Sequence, residues 1–134
     1  MTGAVQALAY CPTADSDASI ADVLLVAAGS GSSGQLLRIT GATSGSPGAA
    51  TAVGTITANV NDVRAHCGSG TVYVGTGSNG GGPSGALYKS TDGGATVTPV
   101  PLSGPGIPPS LNVQVVAVNP ADEDEVLIAG NSEG

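Results

Sequence analysis

The sequence contains no Phe, no Trp and only three Tyr. A core made from it has few large aromatic anchors, so Val, Leu, Ile and Ala must fill it. Cations are equally scarce. Arg38, Arg64 and Lys89 stand against ten acids, for a formal charge of −7 with the single histidine neutral. A nucleic-acid ligand needs several cations to neutralise its phosphates, and an anionic membrane surface attracts basic clusters. Neither partner is expected here. No apolar run reaches the roughly 18 residues that suggest a bilayer-spanning helix. The opening MTGAVQALAYC has no basic n-region and no long apolar stretch, so no signal peptide is visible, although a mature secreted chain would lack one too. Zinc spacings such as CxxC and HExxH are absent. Charged residues make up 10% of the chain, against roughly 25% in an average domain. The composition still does not read as disorder, because net charge is modest and β-branched residues are common.

What the chain does have is glycine, proline and short apolar runs. With 22 Gly, 9 Pro and 40% apolar residues in 134, it reads as one domain's length of short strands and many turns. Three segments repeat. VQALAYCP from Val5, NDVRAHCG from Asn61 and VQVVAVNP from Val113 resemble one another, with Ala65 and Cys67 placed like Ala9 and Cys11. Each is followed by an apolar run that ends in small residues: VLLVAAGS from Val23, TVYVGTGS from Thr71 and EVLIAGNS from Glu125. In the first two units a third run follows (GQLLRITGATSG, GALYKSTDGGAT), then a fourth (TAVGTITA from Thr51, VTPVPL from Val97). The period of about 50–56 residues, with four β-rich runs per unit, is that of a β-propeller blade. The expected fold is all-β, with blades of four antiparallel strands. Residues 1–59 form the first blade, 60–110 the second, and 111–134 the first half of a third.

The stretch STDGGATV, Ser90–Val97, falls between the third and fourth runs of the second unit. Asp92 is suited to bond its own backbone in a tight turn, and Gly93 and Gly94 to take positive φ. Ser90 and Thr96 supply hydroxyls for further backbone groups. These residues resemble the Asp-box of sialidase-like (BNR-repeat) propellers: Ser/Thr, any, Asp, any, Gly, any, Thr, then an aromatic. Ser90, Asp92, Gly94 and Thr96 match, and Val97 replaces the aromatic. The corresponding turn of the first unit, ITGATSGS, carries Gly41 where the Asp would be. The repeats as a whole are similar to those of a wider group that includes photosystem II assembly factors, sortilin-like receptors and some glycoside hydrolases. The resemblance implies a propeller in which the Asp-box is a structural hairpin outside any active site. Fold does not imply activity, because propellers host many functions.

Several residues carry a chemical reading beside a structural one. Asp15, Asp17 and Ser19 have the alternate spacing of a calcium loop, but the Gly and Glu of such loops are missing. A solvated loop is the other reading, and no further cofactor is expected. ADEDEV in the third unit occupies the same place, so residues 13–22 and 121–125 are expected as loops on one face. Cys11 and Cys67, at equivalent strand ends of neighbouring units, are a candidate disulfide if their Cα atoms approach within roughly 4.4–6.8 Å; otherwise they are small buried residues. His66 beside Cys67 suggests a dyad, but adjacent strand residues point to opposite faces. GSNGGGPSG, Gly77–Gly85, lacks the Lys-Ser/Thr ending of a phosphate loop.

The expected function is therefore non-enzymatic. It is a structural or protein-interaction module, a propeller segment used in extracellular or cell-surface assembly or adhesion. The alternative is a fragment of a larger glycan-binding or sialidase-like glycoside-hydrolase propeller whose catalytic residues lie outside this chain. Ten strands cannot close a ring of roughly 4–8 four-stranded blades. The chain is accordingly expected to be part of a longer propeller or a homo-oligomer. In one arrangement two half-blades pair across a two-fold axis, with Val126, Leu127 and Ile128 at the boundary.

Overall fold

Runs rich in Val, Ile, Leu and Thr, each bounded by Gly, Ser, Pro or Asp, favour extended strands joined by turns. The computed structural model describes residues 4–12, 22–30, 33–54, 56, 58–77, 86–108 and 110–132. Among these residues all regular structure is strand. Sheet 1 comprises β1 (Ala4–Cys11), β2 (Val23–Ser30), β3 (Ser33–Thr40) and β4 (Thr51–Ala52), hydrogen-bonded in that order. Sheet 2 comprises β5 (Val60–His66), β6 (Thr71–Thr76), β7 (Leu87–Ser90) and β8 (Thr98–Pro99), again in order. Sheet 3 is the hairpin of β9 (Leu111–Asn119) and β10 (Asp122–Ser132). All pairings are antiparallel. The fold is all-β, with four-stranded antiparallel sheets, as the repeated runs imply.

Two expectations need correction. The fourth runs are shorter than the sequence suggests: β4 and β8 have two residues each. One more bond extends each pairing, from Val53 N–H to the Leu36 carbonyl and from Val100 N–H to the Leu87 carbonyl, both at 2.8 Å. Beyond that Gly54 turns to φ 60° in sheet 1, and Pro101 has no N–H to offer in sheet 2. The acidic stretch 121–125 is also not a loop. Only Pro120 and Ala121 form the hairpin turn, and Asp122 already pairs with Asn119. A register shift between Asp122 and Val126 accommodates the acids inside β10.

The sheets stack through their first strands, with β5 between β1 and β9. Side chains alternate across a strand, so β6 serves two cores. Val72 and Val74 join Leu25, Ala27, Leu36 and Val63 in the first core, between sheets 1 and 2. Tyr73 joins Leu87, Val113 and Val116 in the second, between sheets 2 and 3. All six residues of β6 are buried. With small aliphatic side chains, close packing requires close backbones. Gly75 provides this: a Cβ there would lie 2.8 Å from Val113 Cγ1 and 3.0 Å from Val116 Cγ2. Gly75→Val should therefore overpack the second core and cost about 1–3 kcal/mol, read as a lower midpoint in urea. An unchanged midpoint would show that sheet 3 does not pack on β6 this closely.

Candidate functional site

Chemistry-bearing side chains in this protein concentrate at the junctions between sheets. The Ser90–Val97 turn is the first. Ser90 Oγ donates to Asp92 Oδ1 at 2.7 Å and accepts from the N–H of Gly94 at 3.0 Å. Asp92 Oδ1 also accepts from the N–H groups of Ala95 at 3.0 Å and Thr96 at 2.9 Å, and Oδ2 from the Thr96 hydroxyl at 2.7 Å. The Thr96 hydroxyl and N–H, then Ser90, hold the Asp92 carboxyl below the ordinary 3.8, down to about 2. Gly94 must be glycine twice over: φ is +79°, and a Cβ would sit 2.7 Å from Leu25 Cδ2. The turn leans on sheet 1 through that contact. Val97 packs against the first core, and Arg38 Nε donates to the Gly93 carbonyl at 3.0 Å. Sequence-predicted Ser90, Asp92, Gly94 and Thr96 are thus brought together in one local network.

The matching turn of sheet 1 lacks an internal Asp and borrows one. Asp22, beside the start of β2, is buried, and its Oδ2 accepts from the Thr43 N–H at 3.0 Å. Its carbonyl accepts from Gly41 N–H at 2.7 Å, as the Gly70 carbonyl accepts from Gly93 N–H at 2.8 Å. Burial alone would raise the Asp22 pKa. Hydrogen bonds from the Thr43 hydroxyl and N–H and from the Tyr10 hydroxyl outweigh it, and the carboxyl sits below its ordinary range.

Cys11 and Cys67 are joined, with a Cα–Cα distance of 5.3 Å. They are not equivalent positions, however. Cys11 is the last paired residue of β1, opposite Val23, whereas β5 ends its pairing at His66, opposite Thr71. Cys67 lies one residue further on. Equivalent residues would point the same way from both sheets, and a one-residue offset reverses one of them. The offset is what lets the two sulfurs face each other. The bridge closes a sequence separation of 56, worth about 4 kcal/mol in loop-closure entropy. Beside it a cavity of about 420 Å³ opens between sheets 1 and 2, lined in part by Leu25, Arg38, Ser69, Val72 and Asp92.

The junction of sheets 2 and 3 is polar where the first is covalent. Buried Asp62 accepts from Val116 N–H through Oδ2 at 2.9 Å, and Arg64 Nε donates to the Val116 carbonyl at 3.2 Å. An Arg64–Asp62 ion pair at 3.3 Å holds the two together. Both groups of Val116 point away from its partner Ile128 on β10, so two side chains of β5 stand in for a neighbouring strand. Asn61 adds a bond to the Val113 carbonyl at 2.9 Å. The Lys89 ammonium reaches Asp124 at 2.6 Å, and this partner raises the Lys89 pKa. Tyr73 donates its hydroxyl to the Glu123 carbonyl at 3.0 Å. Each of the three cations in the chain, Arg38, Arg64 and Lys89, therefore spans two sheets.

His66 approaches the Pro120 carbonyl through Nε2 at 3.1 Å and Ser69 Oγ through Nδ1 at 2.9 Å. A carbonyl only accepts, so in the neutral ring Nε2 carries the proton and Nδ1 accepts from the serine. The pair has the elements of a nucleophile and base. Ser69 Oγ also accepts from the Thr71 N–H at 3.3 Å and lies 3.0 Å from Thr71 Oγ1, which makes it a member of the β5–β6 turn. No His–Cys dyad forms. The calcium candidate Asp15, Asp17 and Ser19 lies outside the described residues, as does most of the Gly77–Gly85 loop. Among the described residues no group of three His, Cys, Asp or Glu is disposed to hold a metal. Asp62 was not singled out in the sequence. A carboxylate and an arginine two residues apart on one face of an inner strand, Asp62 and Arg64, were the available signal.

The Asp92 carboxyl has a folded-state pKa below its unfolded value, so its contribution to stability is complete above that value and disappears as pH falls through about 2. The stability gap between the wild type and Asp92→Asn should be constant from neutral pH to about pH 5 and shrink between about pH 4 and pH 2. Urea titrations of both proteins across that range measure it, and a gap that does not narrow would mean the carboxylate is not held this way.

No protein-family model, no curated protein and no solved structure matches this chain.

Proposed function

We propose that this protein is a non-enzymatic structural and protein-interaction module, a segment of β-propeller-type blades whose end sheets dock other protein surface. The observation that carries this reading is where the large exposed apolar side chains lie. Among the described residues they are Val5, Leu8, Tyr10, Val115 and Leu127. All five are on β1, β9 or β10, on the two sheets at the ends of the stack, and none is on sheet 2. Scattered exposure is ordinary, but concentration on terminal faces marks an interaction surface. The similarity of Ser90–Thr96 to an Asp-box and the four-strand repeat support the propeller architecture. The disulfide supports an oxidising, extracellular or cell-surface setting. The acids and cations with distinctive surroundings (Asp22, Asp62, Asp92, Arg38, Arg64, Lys89) are engaged in holding turns and sheets, which favours assembly over catalysis.

The native mass of the oxidised chain tests the reading. At micromolar concentration a particle heavier than the 12.7 kDa chain is expected by light scattering or sedimentation. A folded monomer with no concentration dependence would count against an interaction surface at the ends.

A further inference from the structure

The pairing registers place the three sheets on one scale. Leu8 pairs with Val26, Val63 with Val74, and Val116 with Ile128. These pairs occupy the same position in the three repeats, and they share one face, here called the trailing face. The next pairs along, Ala9 with Leu25, Arg64 with Tyr73 and Ala117 with Leu127, share the other, leading face. Inside the chain, leading meets trailing twice. Leu25 packs with Val63 and Val74 in the first core, and Tyr73 with Val116 and Ile128 in the second. Two faces are left over. Sheet 1 shows the β1 part of its trailing face, with Leu8 54% exposed beside a buried Val26, where the equivalent Val63 and Val116 are 0% and 1%. Sheet 3 shows its leading face, with Leu127 73% exposed, where the equivalent Leu25 and Tyr73 are 2% and 3%.

We propose that a second copy of this chain joins these two faces head to tail, seating the leading face of sheet 3 on the trailing face of sheet 1 of the next copy. This inference rests on the interaction-module reading and names its partner. The contact continues an interface that the molecule already forms twice. Sheet 3 offers the first two strands of a unit, and in sheet 2 the first two strands, β5 and β6, likewise contact β9, with Leu87 of β7 adding to the second core. The chemistry also fits. At the places of Asp62 and Arg64, sheet 3 carries Val115 and Ala117, and sheet 1 carries Ala7 and Ala9 opposite Ala27 and Leu25. At these places the third junction is then apolar like the first, and Glu125, near Leu127 at the hairpin end, already accepts from the Asn119 amide. It is heterologous, using two different patches, so it closes a ring or propagates.

Leu8→Asp and Leu127→Asp test the arrangement in the full, oxidised chain. Both sites are exposed in the single molecule, so at dilutions where the wild type is monomeric each variant should keep its melting temperature, which serves as the folding control. Each should weaken self-association by at least about tenfold, because either would bury an unpaired carboxylate. Mixed together, the two variants should form a dimer and nothing larger, since one keeps an intact trailing face and the other an intact leading face. If Leu8→Asp still dimerises and only Leu127→Asp does not, the contact is a two-fold pairing through β10. Head-to-tail docking is then overturned while the interaction reading stands. A mixture that stays monomeric, or assembly unaffected by either variant, overturns it as well. A monomeric wild type overturns both.

Discussion

The structure depends on β5 having two unlike faces. On one side Val63 and Ala65 meet sheet 1 in an aliphatic core, with the Cys67 bridge just past the strand's end. On the other, Asp62, Arg64 and His66 reach the backbone of sheet 3 at Val116 and Pro120. A strand alternates its side chains with a period of two, so a single seven-residue strand holds one neighbour by burial and the other by hydrogen bonds. The division matters because aromatic bulk is unavailable. A sheet stacked only through Val and Ala gains little per residue, and the directional bonds from Asp62 and Arg64 fix where sheet 3 sits. They also satisfy the N–H and C=O of a strand edge that would otherwise lie bare.

Much of this was legible in the sequence. The apolar runs from Val23 and Glu125 lie within β2 and β10, the run from Thr71 forms β6 as far as Thr76, and the first runs became β1, β5 and β9. Local rules suffice there, since strand propensity and turn chemistry agree. The turn at Ser90–Val97 was readable for the same reason: the bonds of Ser90, Asp92 and Thr96 all close within a few residues. What was not readable is relational. Aligning Cys11 with Cys67 by their neighbours placed them at equivalent positions, whereas the bulge between Val5 and Ala7, the pairing of Cys11 with Val23 and the end of β5 at His66 make them one residue out of phase. Letter matching does not see a phase. Asp62 was missed because its partner Val116 is 54 residues away and contributes only backbone. Asp22 supports the turn at Gly41–Thr43 from outside it, which a motif confined to one turn cannot register.

The few charges are used in a consistent way. Arg38 ties sheet 1 to the turn of sheet 2, and Arg64 and Lys89 tie sheet 2 to sheet 3. None is spent on an outward basic patch, in keeping with a chain that carries ten acids and three bases. The acids Asp122 and Glu125 lie exposed at the hairpin end of sheet 3. The apolar surface left over at the two ends is what the same sequence pattern buries inside, and its exposure follows from stacking repeats in one direction.

The most direct measurement is amide hydrogen exchange at Val116, in the wild type and in Asp62→Ala. If β5 side chains replace a neighbouring strand, the Val116 amide is protected to nearly the global limit in the wild type. Asp62→Ala then releases it by orders of magnitude, while amides of β9 bonded to β10 change far less. A Val116 amide that already exchanges at the rate of an unstructured peptide in the wild type, or one indifferent to loss of the Asp62 carboxylate, would contradict the account.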